Sequence, residues 1–91
     1  MDFTLKIFYT VATLKSFSKA SESLFLTQPT ISFHIKKIEN EFEVQLFERK
    51  SNKIYLTEAG QILYDYAEQV FFEYDRIKKK LVRYIQISAE H

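Results

Sequence analysis

Gln28, Thr30, Ser32, Lys36 and Lys37 crowd one short stretch of this chain, and Arg49, Lys50 and Lys53 follow in a second. Amides and hydroxyls that can pair with base edges, next to cations that can neutralise phosphates, are the side chains a duplex groove asks for. Ser18, Thr27 and Pro29 lead into the first cluster and Phe33 sits inside it, so the same stretch also offers an apolar contact of the kind that suits a thymine methyl. An isolated Lys-Lys pair is ordinarily the solvated back of a helix, and lysines in a loop are ordinarily solvated as well. The element that carries them separates the two readings.

Residues 16 to 42 predict two short helices joined by a tight turn. Ser18 is a good N-cap for the first, with Ala20, Leu24 and Phe25 on its apolar side and a break at Leu26-Thr27. Thr27 caps the second helix. Pro29 falls in that helix's first turn, where backbone N–H groups lack internal partners and the fixed φ of proline costs little. Leu26 and Ile31 are spaced for a hydrophobic staple across the cap, which would fix the angle between the helices. Ile31, Ile35, Ile38 and Phe42 follow at intervals of 4, 3 and 4, one narrow stripe for the core. Pro29, Phe33, Lys36, Lys37 and Asn40 then point outward, flanked by Thr30 and Ser32, with Gln28 near the helix start. This is helix-turn-helix geometry.

The remaining elements frame that motif. A first helix is expected behind Asp2 as N-cap, running to about Leu14 with Leu5, Phe8, Val11 and Ala12 inward, and Phe17 plugs the corner after it. LFERKSNKIYLT, residues 46 to 57, contains two short extended runs around a hydrophilic Ser51-Asn52-Lys53 tip and reads as a wing. Arg49 suits a backbone or minor-groove contact there, since a guanidinium fits a narrow, electronegative groove. From Thr57 onward Leu63, Tyr66, Val70, Tyr74, Ile77, Leu81 and Tyr84 recur at intervals of 3, 4, 4, 3, 4 and 3. A helix from about Glu58 to Ile87 would be on the order of 45 Å long, more than a small headpiece can cover. Leu63 and Tyr66 are expected against the chain's own core, and Val70, Tyr74, Ile77, Leu81 and Tyr84 against a second copy. The division is a headpiece over residues 1–57 and a linker or dimerisation helix over 58–91.

Together these motifs make the chain resemble the N-terminal DNA-binding domain of the LysR-type transcriptional regulators, over nearly its whole length. The family's first helix ending in Ser-Phe-Ser, followed by an Ala-rich helix, is matched by VATLKSFSKASESL. Its most specific run, Gln-Pro-x-h-Ser-x-x-h-x-x-h-Glu with h apolar, is matched from Gln28 through Pro29, Ile31, Ser32, Ile35 and Ile38 to Glu39. Leu46-Phe47-Glu48-Arg49 and Leu56-Thr57-Glu58-Ala59-Gly60 follow at the family's spacing. The resemblance implies a mainly α, winged helix-turn-helix protein in which Gln28 to Phe42 is the recognition helix and Phe47 to Leu56 the wing hairpin. It further implies a homodimer joined by antiparallel linker helices, double-stranded DNA with a dyad-symmetric operator as partner, and a small-molecule inducer only through an effector domain. The chain stops near where a hinge into that domain would begin, and is expected to be a piece of a longer regulator.

Departures from the family pattern point to particular positions. Glu43 stands where the family usually has the glycine of a left-handed helix stop, so it either carries strain or ends the helix differently. Phe33 stands where the family often has an arginine, which removes a favoured guanine or phosphate contact. Ser21 replaces a usual alanine, and Asn52 a wing residue that is often basic.

Composition limits the other function classes. With 46% hydrophobic residues, nine Phe and six Tyr in 91 residues, the chain can build one small core. It has no cysteine, so no disulfide framework, and MDFTLKIF lacks the pattern of a secretory signal. No apolar run approaches the roughly 20 residues of a membrane span. The expected location is the cytoplasm. One mid-chain histidine, His34, and the terminal His91 supply neither a metal cluster nor a catalytic triad, and a single glycine excludes a Gly-rich phosphate loop. No enzyme, metal or cofactor is expected, and His34 reads as a helix-packing or backbone-contacting residue. A net charge of +1 is low for a nucleic-acid module. Its distribution is not even, because Asp and Glu gather in residues 39 to 48 and 58 to 75, whereas the outward face of the second helix carries Lys36 and Lys37 and the wing carries Arg49, Lys50 and Lys53, a local patch that suffices for phosphate contacts. The competing reading is a helical dimerisation or interaction module that has lost specific DNA binding, motivated by that low charge and by Phe33 and Asn52.

Overall fold

The computed structural model describes residues 2–89; His91 lies outside them. Asp2 caps helix α1, Phe3–Leu14, by accepting from the Thr4 N–H at 2.9 Å, and Lys15 ends it in the left-handed region at φ 55°. Leu5, Phe8, Val11 and Ala12 turn inward as expected, and Ile7, absent from the expected set, is completely buried too. A single amphipathic face does not account for both Leu5 and Ile7. The helix is central, and it meets three other helices.

Helix α2, Phe17–Leu24, is capped two residues earlier than expected: Ser16, not Ser18, accepts from the Lys19 N–H at 3.0 Å. Phe17 accompanies this shift: as the first residue of the helix, its half-buried ring packs on the core edge-on to Phe47, 5.8 Å away. Ser18 is left exposed in the first turn. The end of α2 also departs from expectation, because Phe25 does not continue the apolar side of Ala20 and Leu24. It adopts φ 56°, and the bonds from Phe25 N–H to the Glu22 carbonyl (3.3 Å) and from Leu26 N–H to the Ser21 carbonyl (3.0 Å) make a Schellman stop. The left-handed residue turns its side chain out, and Phe25 is 94% exposed. Ser21 Oγ donates to the Leu26 carbonyl, a local role for the departure from alanine.

Helix α3, Gln28–Phe42, opens on Thr27, whose hydroxyl accepts from the Thr30 N–H at 3.3 Å, with Pro29 in the first turn. Leu26 and Ile31, on either side of that cap, both join the core cluster. Ile31, Ile35 and Ile38 are buried, but Phe42 is 62% exposed. One turn beyond Ile38 the helix has passed the end of its support, and Phe42 only lines an open groove with Leu5, Leu63 and Tyr66. Glu43 terminates α3 at φ 54° and ψ 44°, so this chain keeps the left-handed stop without its glycine.

Strands β1, Phe47–Lys50, and β2, Lys53–Leu56, pair antiparallel in the register Phe47 with Leu56 through Lys50 with Lys53. The tip is Ser51-Asn52 alone, both at positive φ as a type I′ hairpin connection demands, and Lys53 belongs to the second strand. Leu46, at the hairpin's foot, is buried, and its N–H is held at 2.8 Å by the Glu39 carboxylate of α3. That bond ties the wing to the helix it accompanies.

Thr57 accepts from the Gly60 N–H at 2.9 Å and starts α4, Glu58–Ala89, a helix of 32 residues and so about 48 Å. Leu63 packs on the core as expected. Tyr66 does not, being 57% exposed. The seam against α1 runs instead through Tyr64, Ala67 and Phe71: Tyr9 stacks on Tyr64 at 5.1 Å and meets Phe71 at 4.9 Å. At 100° per residue, Tyr66 lies off that line.

Candidate nucleic-acid interface

Burying Ile31, Ile35 and Ile38 determines what the rest of α3 presents. Gln28, Pro29, Phe33, Lys36, Lys37 and Asn40 are all exposed, and Thr30 and Ser32 are half-buried on the flanks. The polar start of the helix is preorganised by its cap, since Thr27 and Thr30 also join their hydroxyls at 2.9 Å. Gln28 follows the cap directly, so its amide is carried at the helix N-terminus where side chains and backbone N–H groups project together. This is one continuous face of amide, hydroxyl and ammonium groups around an apolar Pro29–Phe33 pair.

His34 is the inward neighbour of that face. Its Nδ1 is hydrogen-bonded to Thr4 Oγ1 at 2.9 Å, and its ring meets Phe3 and Phe33 edge-on at 5.8 and 5.6 Å. It serves as a packing residue between α1 and α3. No group of three or more His, Cys, Asp or Glu that could hold a metal occurs among the described residues.

The wing does not bring its three cations to one place. Alternation along the paired strands puts Arg49 with Phe47, Ile54 and Leu56, and puts Lys50 and Lys53 on the opposite face with Glu48 and Tyr55. Lys50 lies 3.9 Å from the Glu48 carboxylate, an exposed pair of little energetic weight. The Arg49 guanidinium lies over the Phe17 ring, 5.2 Å from its centroid, which holds the charge beside the first turn of α2 and Ser18. Sequence reading grouped these cations because they are adjacent; the strand period separates them. It also missed Ser16, Ile7, Tyr64, Ala67 and Phe71. Of these only Ser16 carried a local signal, an equally good capping hydroxyl two residues earlier.

No described helix is long and apolar enough to cross a membrane. Beyond Phe71, every described residue of α4 is exposed, including Tyr74, Ile77, Leu81 and Tyr84; Val70 is half-buried.

Comparison with known proteins agrees with this geometry. The HTH-type transcriptional regulator CitR of Bacillus subtilis is 42% identical over 84 residues, covering 91% of this chain, and the chain spans only 29% of that relative's length. Among solved structures, the BenM DBD in its complex with catB site 1 DNA is similar at a TM-score of 0.82 and 32% identity, over 91% of this chain and 93% of that one. CbnR, a LysR family transcriptional regulator, is similar at a TM-score of 0.76 and 30% identity, over 88% of this chain and 28% of its own. The model of the bacterial regulatory helix-turn-helix proteins of the lysR family matches residues 4–61, from α1 into the first turn of α4, and the chain belongs to that family.

Proposed function

We propose that this chain is the sequence-specific DNA-binding part of a dimeric LysR-type transcriptional regulator. In this reading residues 1–57 form the headpiece and residues 58–91 the linker. Helix α3 enters the major groove, where Gln28, Thr30, Ser32 and Phe33 meet base edges and Lys36 and Lys37 meet phosphates, while Arg49 leads the wing on the backbone or minor groove. Ser18, Thr27 and Pro29 are assigned to that same surface, and Lys50 and Lys53, on the other face of the hairpin, to phosphates beside the wing tip. The observation that carries the reading is the capped α3 face, hydrogen-bonding and cationic directly opposite Ile31, Ile35 and Ile38. The role is recognition, not turnover, and belongs in the cytoplasm with the DNA. Any small-molecule inducer would act through a further domain.

The second copy is assigned to α4, through Val70, Tyr74, Ile77, Leu81 and Tyr84. Charge favours the antiparallel arrangement. Glu58, Asp65, Glu68, Glu73 and Asp75 occupy the first half of α4 with no Lys or Arg, and Arg76, Lys78, Lys79, Lys80 and Arg83 the second half, through Ala89, with no Asp or Glu. Antiparallel helices set unlike halves opposite each other; parallel ones would set like on like. Two headpieces so joined call for a dyad-symmetric operator.

Selection from a random duplex pool, followed by titration at several salt concentrations, tests the proposal. A dyad-symmetric winner, bound with a log affinity that falls linearly with log salt, is the expected outcome. A featureless pool would favour the interaction-module reading suggested by the net charge of +1.

A further inference from the structure

Phe33 occupies the line of α3 that points farthest from the core, and it is 65% exposed. A lone exposed phenylalanine would say little. This one is held: its ring stands edge-on to His34 at 5.6 Å and 86°, and His34 is pinned to α1 by Thr4 Oγ1 and by Phe3. The ring is therefore backed by the core helix and presented outward. Pro29, one turn earlier on the same exposed face, extends the apolar surface along α3, with Ser32 and Lys36 beside it.

We propose that Phe33, extended by Pro29, reads the C5 methyl group of a pyrimidine in the major groove and so sets a thymine preference at one step of the site. The inference rests on the DNA-binding reading above. Base edges in the major groove otherwise present donors and acceptors, which a phenyl ring covers without satisfying; thymine alone of the four ordinary bases adds a methyl. Selectivity thus has two sources, apolar burial with thymine and an unpaired polar group with other bases. Cytosine methylated at C5 places its methyl at the same point of the groove, so that base should be partly accepted where cytosine is not.

The test uses a duplex selected by the wild-type chain, in which each thymine is replaced singly by uracil, removing only the methyl. At the step read by Phe33 the wild type should lose about fourfold in affinity, the ratio equivalent to about 0.8 kcal/mol for one buried methylene-sized group. At that step Phe33→Ala and Phe33→Gln should bind the thymine and uracil duplexes equally, Phe33→Leu should keep part of the preference, and Gln28→Ala should keep all of it. Placing cytosine there and then 5-methylcytosine should weaken and then partly restore wild-type binding. Wild-type indifference to every missing methyl, or an unchanged thymine-to-uracil ratio in Phe33→Ala, overturns the inference while leaving DNA binding intact. A wild type that selects no duplex overturns both.

Discussion

Glu43 holds a left-handed backbone, φ 54° and ψ 44°, at the end of the helix proposed to read DNA. An L-residue there costs about 1 to 2 kcal/mol, and its carboxylate faces the negative end of the helix dipole. Glu43→Gly should raise stability by about 0.5 to 1 kcal/mol after the greater freedom of glycine in the unfolded chain is subtracted. Glu43→Gln, which keeps the Cβ, should gain less; equal gains in urea melts would assign the whole effect to charge. On the groove face, Lys36→Ala or Arg49→Ala should weaken binding to all duplexes and flatten the salt slope. Gln28→Ala should instead cost about 1 to 3 kcal/mol on the preferred site and relax one base position. Equal losses on specific and random DNA would reduce Gln28 to a backbone contact.

Helix α4 is joined to the wing through Gly60 and to a second copy, as proposed, through its far half. A Cβ on residue 60 would fall 2.1 Å from the Leu46 carbonyl oxygen and 2.9 Å from Leu56 Cδ2. Helix propensity alone would make Gly60→Ala stabilising by about 1 kcal/mol, yet the backbone clash should reverse the sign and cost roughly 1 to 3 kcal/mol as α4 is pushed off the hairpin. A variant as stable as wild type in urea would mean that the helix can shift without loss. Farther along, Ile77 and Leu81 are half exposed in the single chain. Asp at both positions would bury unpaired carboxylates in the proposed seam, so sedimentation should show monomers where the wild type gives dimers. A wild-type chain that stays monomeric at high micromolar concentration would sink the dimer assignment.

The molecule measures 59 × 25 × 22 Å, elongated because α4 outruns the headpiece. Tyr9 is one of the few residues that tie these two parts, stacked on Tyr64 and against Phe71. Burial, followed by the neighbouring Tyr64 and Glu68, raises its phenol above the ordinary value of 10.0. The folded state therefore keeps the Tyr9 proton where the unfolded chain has lost it. That contribution to stability is complete below about pH 10 and fades as the pH climbs toward the raised value. Thermal melts from pH 8 to 11 should show a steeper alkaline loss for the wild type than for Tyr9→Phe, and parallel curves would exclude Tyr9 as the titrating link.

Local chemistry alone determined much of this protein: Asp2 and Thr27 cap, Pro29 opens α3, Ile31, Ile35 and Ile38 face inward, and LFERKSNKIYLT folds back on itself. Those features depend on hydrogen bonds and periodicities spanning a few residues, which neighbours in sequence suffice to specify. The outward face of α3, and with it most of the candidate site, was legible for the same reason. Choices between near-equal local alternatives were not. Ser16 or Ser18 as cap, Tyr64 or Tyr66 as the α4 contact, and Phe25 and Phe42 inside or out were settled by which surfaces α1 and the hairpin bring within reach. The wing cations were likewise divided by strand pairing, and the Phe33 ring acquired its backing only when His34 met Thr4, 30 residues away. Contacts of that separation enter the free energy only after the chain has folded, so tertiary structure alone decides them.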